Sequence, residues 1–305
     1  MSASVFIAGP ASWNSIVVLD RLPEPVPHMQ FAEDSWETVG GTSAGKALSL
    51  TALGRPTLLY ALCAADEPGE RVRGALGRAG VNTRWGHGDV TERHLNLMTR
   101  LGGRVSLYLA SPSATDGVDD AALVGAMREA DAIVLDLAAE PLRLLPAASA
   151  AGRPIWVDVH DYDGEADFHR PFLDAADAVF CNADRLADPV AFLQSRISAG
   201  ASLAVCTLGA EGAVAIDAAG VEHRVAAVPV DVVDTNGAGD AFLAGVLDAR
   251  LSGADVPSAL RAGARTASGV LGTRHLHPLL DPVIVGDLGA ETQGEEQISP
   301  GGARP

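Results

Sequence analysis

Residues 231–245 run DVVDTNGAGDAFLAG. An apolar run, Val228 to Val233, stops at Asp234 and Thr235. The glycine turn Gly237-Ala238-Gly239-Asp240 follows, and Phe242, Leu243, Gly245, Val246 and Leu247 then recur at helical spacing. That pattern predicts an extended segment feeding a glycine-rich helix N-terminus, and the helix is expected over Ala238–Leu251. Such an end presents free backbone N–H groups and the positive pole of the helix dipole, which suits an anion. A carboxylate beside a bound phosphate has a chemical use: Asp240 can take a proton from a hydroxyl while the N–H groups hold a phosphoryl group in transfer. Read alone, the same four residues also fit a plain turn with a favourable first-turn acid, and both readings stand at this point.

The full string Asp234-Thr235-Asn236-Gly237-Ala238-Gly239-Asp240 resembles the D-T-x-G-A-G-D signature of the ribokinase-like (PfkB) family of sugar kinases. A second family feature, a Gly-Gly pair opening a helix some forty residues in, matches Gly40-Gly41-Thr42-Ser43-Ala44-Gly45-Lys46-Ala47. The resemblance spans residues 4–285. It implies a three-layer α/β/α domain with a mainly parallel central sheet and a small β-lid, ATP and Mg²⁺ as reactants, and a sugar or sugar-like alcohol as acceptor. It also implies Asp240 as catalytic base and Gly237, Ala238 and Gly239 as the anion hole. Some relatives pair through the lid, so that sheet is a candidate surface for a homodimer, though no residue of the sequence decides it.

Bulk composition agrees with a large folded domain. The chain has 305 residues with 48% hydrophobic content, enough for a sizeable core. Its formal net charge of −17 argues against nucleic acid or an anionic membrane as a partner. Cys63, Cys181 and Cys206 lie far apart in apolar runs and read as buried free thiols in a reducing compartment. No leader pattern or long apolar run appears, so a soluble cytoplasmic protein is expected.

Short apolar runs alternate with helical patterns. Strands are expected at Val5–Ala8, Thr57–Leu62, Ala132–Leu137, Ile155–Val159, Ala178–Cys181 and Leu203–Thr207. Helices are expected at Ser43–Leu53, Pro68–Ala79, Asp119–Glu129, Phe168–Ala176, Ala183–Ser195 and Pro257–Leu271 as well as Ala238–Leu251. Leu95–Leu109, with Gly102-Gly103 at its centre, predicts an antiparallel hairpin, and Ser15–Ala32 looks extended. These give a lid from about 13–38 and 91–111 on a kinase domain of residues 1–288. The polar Gly289–Pro305 reads as a disordered tail.

Gly40-x4-Gly45-Lys46 nearly spells a phosphate-binding P-loop. Ala47 stands where that motif needs a hydroxyl for Mg²⁺, and Glu33–Thr38 reads as a poor buried strand before it. The family resemblance instead makes Gly40, Gly41 and Thr42 substrate contacts. Gly45 replaces the usual Asn, and Lys46, the chain's single lysine, is a candidate replacement contact. Asn14 occupies a place where the family commonly has an Asp; an amide both donates and accepts. Trp13 beside it can stack on a sugar or simply pack.

Asp158, His160, Asp161 and Asp163 follow a strand, and pocket lining is preferred there over a metal cage. Asn182 matches the first residue of the family's N-x-x-E element, which organises Mg²⁺ and phosphate. Arg185 replaces the acid, with Asp184 as a stand-in, and helix capping is the plain alternative for Asn182. Thr207, Gly209 and Gly212 resemble the T-x-G-x-x-G turn beside the nucleotide. Asp234 matches a position associated with a monovalent cation such as K⁺. His275 and His277 read as structural. A nucleoside kinase of the same fold, a silent sugar-binding regulator and a P-loop NTPase remain as rival functions.

Overall fold

The structure is a computed structural model that describes residues 2–100, 102–115 and 120–288. The expected tail at 289–305 lies outside the described residues. In chain order, the first elements are β1 (Val5–Ala8), β2 (Ser12–Leu19), β3 (Asp34–Gly40), α1 (Thr42–Ala52), β4 (Thr57–Cys63), α2 (Glu67–Arg78) and β5 (Thr83–His87). Next come β6 (Glu92–Thr99), β7 (Arg104–Ala110), α3 (Asp120–Glu129), β8 (Ala132–Asp136), α4 (Ala139–Ala151), β9 (Ile155–Asp158), α5 (Arg170–Ala175) and β10 (Ala178–Asn182). The last are α6 (Pro189–Ser198), β11 (Leu203–Thr207), β12 (Ala213–Asp217), β13 (Glu222–Val225), α7 (Ala238–Leu251), α8 (Val256–Val270) and α9 (Asp281–Leu288).

A nine-stranded sheet has the order β13-β12-β11-β10-β9-β8-β1-β4-β5 and is parallel from β11 to β5. β12 and β13 extend one edge antiparallel. Alternate residues of each central strand feed opposite cores. Val5 and Ile7 of β1 pack in one cluster with α1, α7 and α8; Phe6 and Ala8 pack in the other with α3 to α6. Burial on both faces explains why these strands read as unbroken apolar runs. Cys63, Cys181 and Cys206 are buried free thiols, and Cys181 and Cys206 are register neighbours on β10 and β11.

A separate four-stranded sheet, β3-β2-β6-β7, forms the lid. The β6–β7 hairpin turns through Gly102-Gly103, as the sequence predicts. β3 was not expected, because Asp34, Glu37 and Thr38 do not suit a buried strand. In a lid, one face meets water, and β3 alternates accordingly before Val39 and Gly40 enter the core. The extended reading of 15–32 holds only to Leu19; residues 20–33 form no strand. β7 is an edge with Leu107, Tyr108 and Leu109 exposed.

Helices fall near their expected places with one displacement. Residues 183–188 are not helical; α6 starts at Pro189, behind Asp188, whose carboxylate accepts the Ala191 N–H at 3.0 Å. Proline fits the first helical turn, where its missing N–H costs nothing, and so it sets the later start. α4 was not among the expected helices; Pro141 lies in its first turn and Pro146 in its interior. No helix among the described residues is long and apolar enough to cross a membrane.

Candidate active site

α1 and α7 bring their N-termini together beneath the lid. α7 starts at Gly237, whose φ of +79° is left-handed and whose added Cβ would lie 2.9 Å from Leu276. No side chain caps this end, so the first-turn N–H groups of Gly239 and Asp240 have no partner within the helix. α1 starts at Gly41, φ +94°, where a Cβ would meet the Pro10 carbonyl at 2.4 Å. Residues 240–247 of α7 are buried without a break, and Phe242, Leu243 and Val246 anchor the helix in the core. Truncating one such side chain typically costs about 2–5 kcal/mol, so the position of Asp240 is set by packing.

Asp240 is buried, and Lys46 donates to its Oδ1 at 2.6 Å. Lys46 is itself fully buried in α1 and also meets Asp136 Oδ1 at 2.8 Å and Asp158 Oδ2 at 3.5 Å. Ser43 donates to the other Asp136 oxygen at 2.5 Å. Burial pushes the Asp240 carboxyl up to about 6, against the pull of Lys46. Burial also works against the Lys46 ammonium, but Asp136, Asp240 and Asp158 outweigh it and raise its pKa. At Asp158 burial is likewise outweighed, by His160 and Lys46, which hold the carboxyl below its usual range. His160 has a φ of +51°, left-handed for a residue with a Cβ, at the turn leaving β9.

This geometry disposes of the P-loop reading. α1 already begins at Thr42, so Gly45 and Lys46 lie within a helix, and no open loop surrounds a phosphate. The acids after β9 likewise form no cage: among the described residues, no group of three or more His, Cys, Asp or Glu side chains could hold a metal ion.

The other predicted residues fall in two places. Asn14, Gly40, Gly41 and Thr42 lie where the lid meets α1. Asn14 is buried, accepts from Ser12 Oγ at 2.8 Å, and lies so close over Gly40 that a Cβ there would collide with it. Asn182 and Thr207 are register neighbours at the ends of β10 and β11. Asn182 accepts from the Asp184 N–H at 3.0 Å, forming a turn rather than a helix cap. Gly209 (φ +57°) and Gly212 (φ +97°) bracket the turn into β12. Asp234 is buried, accepts from Asn236, and has its carboxyl raised by that burial. His275 hydrogen-bonds Thr38 of the lid at 3.0 Å, and His277 Nδ1 accepts from the Leu279 N–H at 3.1 Å.

Sequence reasoning missed several residues. Asp136 and Ser43 complete the Lys46 cluster; an Asp ending an otherwise apolar parallel strand was the available signal. The lid contributes Glu92, His94 and Asn96, all buried, with His94 and Glu92 bonded at 2.9 Å and Asn96 Oδ1 without a partner. Alternation puts them on the Asn14 face, since Asn14 pairs in register with His94. The lid rests on the glycine turn: Asn236 is held by Arg104 at 3.0 Å and by Met98 Sδ at 3.2 Å.

Comparison with known proteins agrees with this geometry. Residues 17–278 match the model of the pfkB family carbohydrate kinases. The acarbose 7(IV)-phosphotransferase of Actinoplanes sp. is 32% identical over 275 residues, covering 85% of this chain and 89% of that protein. The structure of a microbiome-derived acarbose kinase superposes with a TM-score of 0.77 at 29% identity, covering 93% of this chain and 99% of that one. Arabidopsis thaliana ribokinase, solved with ribose and ATP, shares the fold at a TM-score of 0.71 and 21% identity, over 90% and 94% of the two chains. The chain therefore belongs to the pfkB family of carbohydrate kinases.

Proposed function

We propose that the protein transfers the γ-phosphoryl group of ATP to a hydroxyl of a sugar or sugar-like compound, with Asp240 as the base. The observation that carries this reading is a buried carboxylate in the first turn of a helix whose N-terminus is left uncapped. Asp240 takes the hydroxyl proton as the oxygen bonds to phosphorus. The N–H groups from Gly237 to Asp240 stabilise the negative charge on the transferring group. Asn14, Gly40, Gly41, Asp158 and the lid residues His94 and Asn96 bind and orient the acceptor. Thr207, Gly209 and Gly212 border the nucleotide.

Asn182 and Asp184 supply oxygen donors suited to a hydrated Mg²⁺, which neutralises phosphate charge when bound. Arg185, at the family's acidic position, turns away to Asp163 at 3.4 Å. The buried Asp234 carboxylate suits a monovalent cation. The lid excludes water and limits wasteful hydrolysis of ATP. Its exposed β7 edge is the surface we assign to pairing with a second copy, which sedimentation at rising concentration tests.

The test is ADP release with ATP and Mg²⁺ across acarbose, fructoselysine, ribose, adenosine and a set of pentoses and hexoses, with Asp240→Asn in parallel. Turnover on a sugar that falls by about 10³-fold or more in the variant is expected. Turnover on adenosine alone selects a nucleoside kinase. Binding of a sugar without turnover selects a regulator.

A further inference from the structure

The chain's single lysine lies at the centre of the site and touches no solvent. A fully buried lysine is rare unless paired. Here the ammonium faces carboxylates from three separate elements, α7, β8 and β9, at 2.6, 2.8 and 3.5 Å. The surroundings are cut to fit. A Cβ at Gly9 would lie 2.3 Å from Ser43 Oγ and 2.9 Å from Asp136 Cβ. A Cβ at Gly45 would lie 2.8 Å from Asp240 Oδ2. Buried ionic clusters seldom add stability over an apolar core of the same shape, so stability alone does not account for this one.

We propose that Lys46 is the positioning residue of the reaction: its ammonium holds Oδ1 of Asp240, so that Oδ2, lying over Gly45, is left to receive the acceptor's proton. Asp136, itself held by the Ser43 hydroxyl, holds the ammonium, and Gly45 leaves the space that Oδ2 occupies. The inference rests on Asp240 being the base. In the reaction, the hydroxyl proton passes to Oδ2, the hydroxyl oxygen bonds to phosphorus, and the bond from phosphorus to the departing ADP breaks. The proton leaves to solvent after the products.

The groups facing Asp240 are Lys46 from α1, Asp136 from β8, Asp158 from β9 and His160 from the turn after β9. Burial raises the carboxyl most, Lys46 and His160 lower it, and Asp136 and Asp158 raise it. Removing Lys46 and removing Asp136 therefore push the base in opposite directions. A purely structural role for the cluster has no such sign.

The experiment is the pH dependence of kcat/KM and of kcat for wild type, Lys46→Met, Asp136→Asn and the double variant, on the full chain with the sugar found active. In Lys46→Met, the acid limb moves up by about one to three pH units. Its kcat falls roughly tenfold or more while both KM values stay within about twofold. In Asp136→Asn, the limb moves down. The double variant returns the limb towards wild type but keeps the low kcat, because the tether is gone. It also carries the test if Lys46→Met does not fold, since charge is matched there. Full kcat in the double variant overturns the proposal, as do limbs that stay still or move together. A raised sugar KM with unchanged kcat in Lys46→Met overturns it in favour of direct sugar binding. Asp240→Asn, run alongside, separates the two levels. Activity there removes the base itself; an inactive Asp240→Asn beside an indifferent Lys46→Met removes only the lysine's role.

Discussion

Two sets of helix starts in this molecule contrast. α2, α6 and α8 begin behind Asp66, Asp188 and Asp255, whose carboxylates accept first-turn N–H groups at 2.9, 3.0 and 2.9 Å. Each also has proline in its first turn. α1 and α7 begin behind glycines at positive φ, and no side chain caps them. Glycine in place of a capping side chain costs only roughly a few tenths of a kcal/mol, and it leaves the donors free at two helix ends that meet under the lid. A cap satisfies the donors of a helix end; a glycine leaves them for something else. Among these five helices, the two whose ends meet under the lid are the two that start behind a glycine at positive φ.

Substitutions at these starts test that division. The largest effect is expected at Gly237→Ala. The new methyl meets Leu276, and the left-handed backbone resists a Cβ. We expect kcat to fall by about 100-fold or more, and stability by about 1–3 kcal/mol, read by steady-state kinetics and thermal melting.

Gly239→Ala is expected to separate the two properties. Nothing in the protein lies within 4 Å of its added Cβ, and alanine favours the helix by up to about 1 kcal/mol. Stability should hold or rise while turnover drops roughly tenfold, because in the proposed reaction the methyl stands where the phosphoryl group approaches. Unchanged turnover in this variant would break the reading of α7 as an anion site.

The pH response of Asp240 has opposite signs for activity and stability. Its folded pKa of about 6 lies above the unfolded value of 3.8, so the folded state binds the proton more tightly between those values. Falling pH across that window therefore stabilises the fold through this group while removing the carboxylate of the proposed base. Asp66 and Asp158, held below 3.8, act in the opposite sense and only at lower pH. Denaturant unfolding of wild type and Asp240→Asn from pH 7 to about 4 checks this. Wild type should gain relative to the variant on acidification.

The smallest effect is expected at Asp255→Ala, which removes the α8 cap. Stability should fall by about 1 kcal/mol with kcat unchanged. A large loss of turnover there would blur the distinction between the two kinds of start.

Much of this architecture was readable beforehand, and the failures share causes. Central strands such as Ala132–Asp136 were visible because burial on both faces leaves an unbroken apolar run. β3, β5, β12 and β13 were not, being strands of the lid or of the flanks of the main sheet, where the pattern is short or mixed. α4, with two prolines in its sequence, was not among the expected helices, and the start of α6 was placed too early because Asn182 resembles a cap. On the lid, Glu92, His94 and Asn96 look like an ordinary polar alternation until the sheet is folded over the glycine turn.

Residues 234–240 point to the family from sequence alone and offer Asp240 as the proposed base, because a turn, a helix start and a first-turn acid must be consecutive in the chain. The partners of Lys46 could not be read that way. Ser43 and Lys46 share a helix, but Asp136, Asp158 and Asp240 come from two strands and a second helix, up to 194 residues away along the chain. They meet only because α1 packs on α7 and because β8 and β9 end side by side in a parallel sheet. A charge pair between distant elements leaves no local pattern. Burial then turns that meeting into chemistry, raising the Asp240 carboxyl to about 6 and fixing among carboxylates a lysine that the sequence offered as a candidate substrate contact.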